Sequence, residues 1–337
     1  MSFSFYKSFV RPLLFAMDPE AVHHLAIDCL SVTAPVLRYL APRPDPRLER
    51  THFGIRFPNP VGLAAGFDKN AAALCAWEGL GFGFAEMGTI TSRAQEGNPK
   101  PRIFRIPEQQ ALINRLGFNN DGADLIASRM RRMVDRRRWA RIPIGINIGK
   151  SKVTPLDEAT NDYLLSFERL HHFGDYFVLN ISSPNTPGLR ALQDRRALDE
   201  LLGTLQRRNN AGRPILVKIA PDLEWEQIEE IVGLAEEHGI GGIIATNTTT
   251  DHSGVPAHRR QQGGLSGAPL KARSTAVIRF ITERTQLPVI AAGGIMSVDD
   301  ALEKADAGAA LLQLYTGFIY EGPGLVHDIC AALLAWS

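Results

Sequence analysis

Eight short apolar segments, each followed by a helical pattern, leave this chain few folds to choose from. They lie at residues 60–65, 84–88, 142–148, 176–181, 215–219, 242–245, 288–292 and 310–314. Each is a near-continuous apolar run rather than an alternation, as parallel strands covered on both faces require. Helical periodicity separates them, for example at residues 223–238 and 270–285. Eight such units over about 280 residues suit a closed (β/α)8 TIM barrel, typically about 250 residues long, better than an open sheet. No G-x-G-x-x-G follows the first strand, which weighs against a dinucleotide-binding fold.

The functional signal lies in the residues just past the C-terminal end of each strand. In order these are Gly66-Phe67-Asp68-Lys69, Thr89, Asn147, Asn180 to Asn185, Lys218, Thr246-Asn247-Thr248, Gly293-Gly294 and Tyr315-Thr316-Gly317. In a barrel these ends converge on one mouth, where such enzymes keep their active sites. Asn, Thr and Gly are ordinary turn residues. Two lysines at matching strand ends, Lys69 and Lys218, are not, because a lysine in a crowded mouth needs a partner. The last two strand ends predict a phosphate cradle. Gly293-Gly294 lets backbone approach closely, Ser297-Val-Asp-Asp300 reads as a helix N-cap, and Gly263-Gly-Leu-Ser-Gly267 would close over the same ligand.

The first forty residues have a different character. Phe3, Phe5, Tyr6, Phe9, Val10, Leu13, Leu14 and Phe15 crowd together around Lys7 and Arg11. Asp18-Pro19 then opens a second helix as N-cap and first helical residue, carrying Val22, Leu25, Ile27, Leu30 and the run from Val36 to Leu40 near helical spacing. Prolines in Pro42-Arg-Pro-Asp-Pro46 end it, so residues 1–46 form an amphipathic helical extension and residues 47–337 the barrel. Such a pair, aromatic with a few cations, reads as an interfacial anchor. Helices merely packed on the barrel bottom are the plainer alternative. No stretch approaches the roughly 20 apolar residues needed to span a bilayer. A secretory signal is also not expected, because residues 12–17 are too short for its apolar core.

Composition serves mainly to exclude. Lys and Arg number 37 against 36 Asp and Glu, so the net charge of +1 gives no case for nucleic acid. Cys29, Cys75 and Cys330 have no metal-ligand or disulfide-framework spacing, and neither a metal nor a disulfide is expected. Arg129, Arg131, Arg132, Arg136, Arg137, Arg138 and Arg141 crowd one helical stretch, where Met130, Met133 and Trp139 give an apolar side, and together they read as a solvated face, with contact to anionic lipid the less favoured alternative.

The chain resembles the dihydroorotate dehydrogenase family. The segments that carry the resemblance are Asn180-Ile-Ser-Ser-Pro-Asn-Thr-Pro-Gly-Leu189, Ala64-Ala-Gly-Phe-Asp-Lys69, Asn114-Arg-Leu-Gly-Phe-Asn-Asn120, Ala245-Thr-Asn-Thr-Thr249, Gly263-Gly-Leu-Ser-Gly267, Gly293-Gly-Ile295 and Gln313-Leu-Tyr-Thr-Gly317. They stand in family order across nearly the whole length. The resemblance implies an FMN-containing barrel that oxidises dihydroorotate to orotate in pyrimidine synthesis. By position it assigns FMN to Ala65, Gly66, Phe67, Asp68, Lys69, Thr89, Asn147, Asn180, Lys218, Thr246, Gly267, Gly294, Tyr315 and Thr316. Substrate falls to Lys69, Asn114, Arg115, Leu116, Gly117, Phe118, Asn180, Asn185, Asn247 and Thr248. A molecule with a carboxylate and two carbonyl/N–H edges does call for a cation and several amides.

The same resemblance makes Ser183 the general base, passing its proton onward through water near Thr186 and Phe118. It implies the quinone-linked, membrane-associated class, since the soluble class has cysteine at that place and none of the three cysteines lies there. In that class the N-terminal extension forms the access path for ubiquinone or menaquinone, and His23 and Arg105 match its quinone-site residues. The expected location is peripheral, on the cytoplasmic face of the inner membrane. Two competing readings stay open. A flavin-free barrel lyase or isomerase acting on a phosphorylated metabolite would share the cradle and lysines. A non-catalytic, membrane-docked binding protein would share the extension.

Overall fold

A computed structural model describes residues 5–39 and 41–336. Phe3 and Leu40, which the sequence places in the extension, lie outside the described residues. The chain opens with a π-helical turn, Tyr6–Val10, running into the helix Arg11–Phe15 and then the long helix Pro19–Tyr39. Asp18 caps the last as expected, its Oδ1 accepting from the backbone N–H of Glu20 at 3.0 Å and Ala21 at 2.9 Å.

A short hairpin, β1 (Arg50–His52) with β2 (Ile55–Phe57), precedes the barrel. The barrel strands are β3 (Val61–Leu63), β4 (Phe84–Ile90), β7 (Ile144–Ile148), β8 (Tyr176–Asn180), β9 (Ile215–Ile219), β10 (Gly242–Ala245), β12 (Val289–Ala292) and β13 (Leu311–Leu314). They close in the order β10-β12-β13-β3-β4-β7-β8-β9, every pair parallel. All eight coincide with the apolar runs in the sequence: β9 and β10 match to the residue, and the others differ by one or two residues at an end.

Two separate cores explain why those runs had to be apolar throughout. One lies between strands and outer helices and holds Leu63, Met87, Ile146 and Leu179. The other fills the lower barrel, where Phe57, Phe84, Tyr176, Val178, Leu216, Ile244 and Ile290 meet. Glycines make room for its rings. A Cβ on Gly62 would stand 2.3 Å from the Phe84 ring, and one on Gly145 2.2 Å from that of Tyr176.

Five strands were not legible beforehand, the β1–β2 hairpin and three more. β5 (Ile103–Ile106), β6 (Ala111–Asn114) and β11 (Gly264–Gly267) form an antiparallel sheet over the mouth, drawn from the loops after β4 and β10. At four residues each they are too short to show a period.

The extension sits beside the mouth rather than at the barrel bottom. Tyr6 donates its hydroxyl to the Ile319 carbonyl at 2.7 Å, and Arg11 reaches the Tyr320 carbonyl at 3.0 Å. Both acceptors belong to the helix Thr316–Glu321 that directly follows β13. Deeper in, Arg102 clasps the buried Glu20 carboxylate at 2.7 Å. An ion pair removed from water in this way fixes where the long helix lies.

Candidate active site

A cavity of about 990 Å³, counting its open mouth, occupies the C-terminal end of the barrel. Its floor rests on alternate residues of the strands, those with the same inward parity as the lower core. Two residues above Phe84 stands Glu86, fully buried, whose carboxylate accepts from Asn147 Nδ2 at 2.7 Å and Gln313 Nε2 at 2.5 Å. Asn147 Oδ1 in turn accepts from Thr89 Oγ1 at 2.6 Å and Asn180 Nδ2 at 3.2 Å. Lys218 pairs in register with Asn180 across β8 and β9 and is buried. Burial pushes its ammonium below the usual lysine range, and the charge opposing that shift is Glu86.

Glu86 is the functional residue that sequence reasoning missed, with Gln313 and the cavity-lining Ser266 beside it. A signal existed: Glu86 is the only charge within its strand, two places from Phe84. A lone buried carboxylate must be matched, and here Lys218 and two amides match it.

The far wall is a ring of amides. Asn185 Nδ2 donates to the Asn114 carbonyl at 3.0 Å, and Asn247 Nδ2 to Ser182 Oγ at 3.0 Å. Leu116, Gly117, Phe118, Thr248 and Ser183 line the same space. Ser183 is buried, and its Oγ accepts from the backbone N–H of Asn185 at 3.3 Å. Thr186 Oγ1 is buried and meets no hydrogen-bond partner among the described residues. Lys69, half-buried, stands on the cavity wall. Burial first and Arg102 second bring its pKa down to about 8, against the pull of Glu20 and Asp68.

At the other end lie Gly267, Gly293 and Gly294, with φ of 94°, 102° and 73°. These left-handed values favour glycine on their own account, and packing adds a second reason. A Cβ on Gly294 would come within 2.3 Å of the Lys271 backbone, and one on Gly267 within 2.3 Å of the Gln110 carbonyl. Thr316 starts the helix Thr316–Glu321 and shares a 2.9 Å hydrogen bond with Ser266. Ala65, Gly66 and Tyr315 complete this wall. Thr246 also lines the cavity, and its Oγ1 is buried without a partner among the described residues. The N-cap read from the sequence is present, with Ser297 accepting from the backbone N–H of Asp300 at 3.2 Å.

Several residues that the resemblance assigned to ligands turn their side chains elsewhere. Asp68 accepts from the backbone N–H groups of Ala72 at 2.8 Å and Ala73 at 2.9 Å, holding the turn behind the wall. Phe67 packs among Trp77, Tyr315 and Phe318. Arg115 leaves the cavity to reach the Pro101 carbonyl at 2.9 Å and lies over Phe104. Asn147 stays one layer below the cavity surface, acting through Thr89 and Asn180. His23 meets the wall through Phe67, ring centroids 5.5 Å apart, and burial holds its pKa well below the usual imidazole value. Arg105 donates to the Met17 carbonyl at 2.8 Å and covers the Phe15 ring, so it belongs to the junction with the extension.

Barrel, buried lysine–glutamate floor and amide-rimmed mouth define an α/β-barrel enzyme with one deep polar pocket at the C-terminal strand ends. Residues 47–336 match the family model described as dihydroorotate dehydrogenase, and the chain belongs to that family. Its relatives include the dihydroorotate dehydrogenase (quinone) of Gloeobacter violaceus, 57% identical over 96% of this chain and 92% of that one. The protein of the same name from Trichormus variabilis is 51% identical over 98% of this chain and 94% of its own. Among solved structures, Eimeria tenella DHODH in complex with ferulenol superposes with a TM-score of 0.84 at 39% identity, covering 93% of this chain and 91% of that chain. The chain is thus an oxidoreductase of a flavoenzyme family, and the lyase, isomerase and non-catalytic readings fall away.

Proposed function

We propose that the protein oxidises dihydroorotate to orotate on FMN and passes the electrons to a membrane quinone, ubiquinone or menaquinone, in pyrimidine synthesis. The observation that carries this reading is that one cavity joins a glycine cradle, a buried lysine and a ring of amides. Its residues fit FMN. Gly267 and Gly294, whose backbones line the cavity without a side chain, would hold a phosphate together with Thr316. Thr246 offers an unpartnered hydroxyl. Lys218 brings a buried cation suited to an acceptor that gains negative charge. Thr89 and Asn180 would bear on the ring from the floor, with Ala65, Gly66 and Tyr315 at the wall. Bound FMN supplies the two-electron acceptor.

The protein's own groups do the rest. Lys69 meets the substrate carboxylate, while Asn114, Asn180, Asn185, Asn247 and Thr248 match its carbonyl and N–H edges. Ser183 takes the proton from the ring carbon and hands it on, a relay to which the Thr186 hydroxyl, buried without a partner among the described residues, lends support. His23, neutral at ordinary pH because it is buried, and Arg105 mark the side from which quinone arrives.

In this reading residues 1–46 are the quinone access path and anchor, and residues 47–337 the catalytic barrel. Phe9, Leu13 and Val36 stand 62–72% exposed on the extension. No helix among the described residues is long and apolar enough to cross a membrane. Together these favour peripheral attachment, and the face we propose is the cytoplasmic one of the inner membrane. The test is an absorbance spectrum before and after dihydroorotate, then after a long-chain quinone. The expected record is a flavin spectrum that bleaches and then recovers. A colourless protein that still consumes substrate would overturn the reading.

A further inference from the structure

Four of the arginines that the sequence assigns to a solvated face, Arg129, Arg132, Arg136 and Arg138, also border a second pocket, away from the mouth and of about 760 Å³ counting its open side. Two helices face each other across it. The long helix of the extension presents Ser31, Ala34, Pro35 and Arg38, spaced i, i+3, i+4, i+7. The helix Ala123–Asp135 and its cap present Arg129, Arg132, Met133 and Arg136 at the same spacing. Arg138 joins them, and residues 72–75 form the floor.

The charge here is one-sided. Arg38 is paired with Glu78 at 2.7 Å and Arg129 with Asp121 at 2.7 Å. Arg132, Arg136 and Arg138 have no carboxylate partner among the described residues. Cations gathered in a concave site, in a chain whose net charge is only +1, call for an anion. Guanidinium forks fit a phosphate. The neighbourhood also says what carries it. Val32, Val36 and Tyr39 succeed one another around the same long helix, next to its pocket face, and are 62–90% exposed. Val134 is exposed on the opposing helix. A basic pocket rimmed by bare apolar side chains suits a phosphate that arrives attached to acyl chains.

We propose that this pocket binds the phosphate of an anionic phospholipid, giving the extension a lipid preference as well as an anchor. The proposal rests on the reading that the extension lies on a membrane. The test sediments the full-length protein with phosphatidylcholine vesicles and with vesicles that also contain phosphatidylglycerol. Wild type should favour the anionic vesicles, and the preference should shrink with salt. A cation near an anionic surface contributes about a fivefold gain, so Arg132→Gln/Arg136→Gln/Arg138→Gln should bind them on the order of a hundredfold more weakly. Its binding to phosphatidylcholine and its turnover with a water-soluble electron acceptor should stay unchanged.

If the triple variant keeps the anionic preference, the pocket assignment falls while the membrane reading stands. If wild type binds neither vesicle, both fall. In a parallel arm, inorganic phosphate is added without vesicles. A rise in wild-type melting temperature that the variant lacks, with no vesicle preference, would give the pocket to a soluble phosphate and overturn the lipid assignment.

Discussion

At the floor of the mouth, Glu86, Asn147 and Lys218 are polar or charged and at most 6% exposed. Along the N-terminal extension, Leu13, Val32 and Tyr39 are apolar and 72–90% exposed. Both regions defy the usual sorting of side chains by burial, and they do so in opposite senses. The floor tolerates its charges because Glu86 accepts from Asn147 and Gln313 and is offset by the Lys218 charge, while Asn147 bonds Thr89 and Asn180. The extension keeps apolar groups in water, and polar contacts to the helix after β13 and to Arg102 help to hold it in place. A satisfied buried network is rigid and suits chemistry. An unsatisfied apolar face is unfinished by itself and suits docking.

The largest test of this contrast is at the cradle. Gly294→Val would force a side chain into the Lys271 backbone at a φ of 73°. Flavin should be lost altogether while far-ultraviolet circular dichroism stays close to wild type. Retention of full flavin would move the phosphate away from Gly294.

Ser183→Ala should have the next largest effect. A positioned base contributes about 10²–10⁴-fold, so flavin bleaching in rapid mixing should slow by about that factor with flavin content intact. A rate within a few-fold of wild type would transfer the role, with Thr186 the next candidate.

Phe9→Glu/Leu13→Glu sharpens the other half of the comparison. Both side chains are exposed, so folding should be untouched. Each apolar side chain is worth about 1.5–3 kcal/mol when buried. Partition onto vesicles and turnover of long-chain quinone should therefore fall tenfold or more, while bleaching by dihydroorotate holds. If bleaching falls equally, the two regions are not separable in function.

The smallest effect is a pH profile. Lys69 is charged below its lowered pKa of about 8 and neutral above it. The substrate carboxylate loses its cation as pH rises, so kcat/KM should fall about tenfold per unit beyond that pKa. In Lys69→Arg, which stays charged throughout, this decline should disappear. A decline that survives the substitution would assign the ionisation to another group.

The eight strands, the caps at Asp18 and Ser297, and the glycine cradle were legible because each leaves a local trace. Buried parallel strands need unbroken apolar runs, N-caps need a short acceptor, and left-handed backbone favours glycine. Other features leave none. Nothing in the order of residues separates Lys69, which reaches the cavity, from Asp68 beside it, which turns back to cap the Ala72 and Ala73 amides. Arg115 sits within a segment whose neighbours line the pocket, yet it faces outward.

Glu86 shows the division best. Strand periodicity says that it shares a face with Phe84, but only closure of β13 and β7 on either side of the β3–β4 pair brings Gln313 and Asn147 to its carboxylate. The arginines on the helix Ala123–Asp135 obey the same logic, since their spacing gives one face and the long helix opposite turns that face into a pocket. By itself the sequence determined the elements and the parity of each side chain, because those depend on neighbours a few residues away. The tertiary structure alone decided which parities meet across a shared space, because that depends on how distant elements close upon one another.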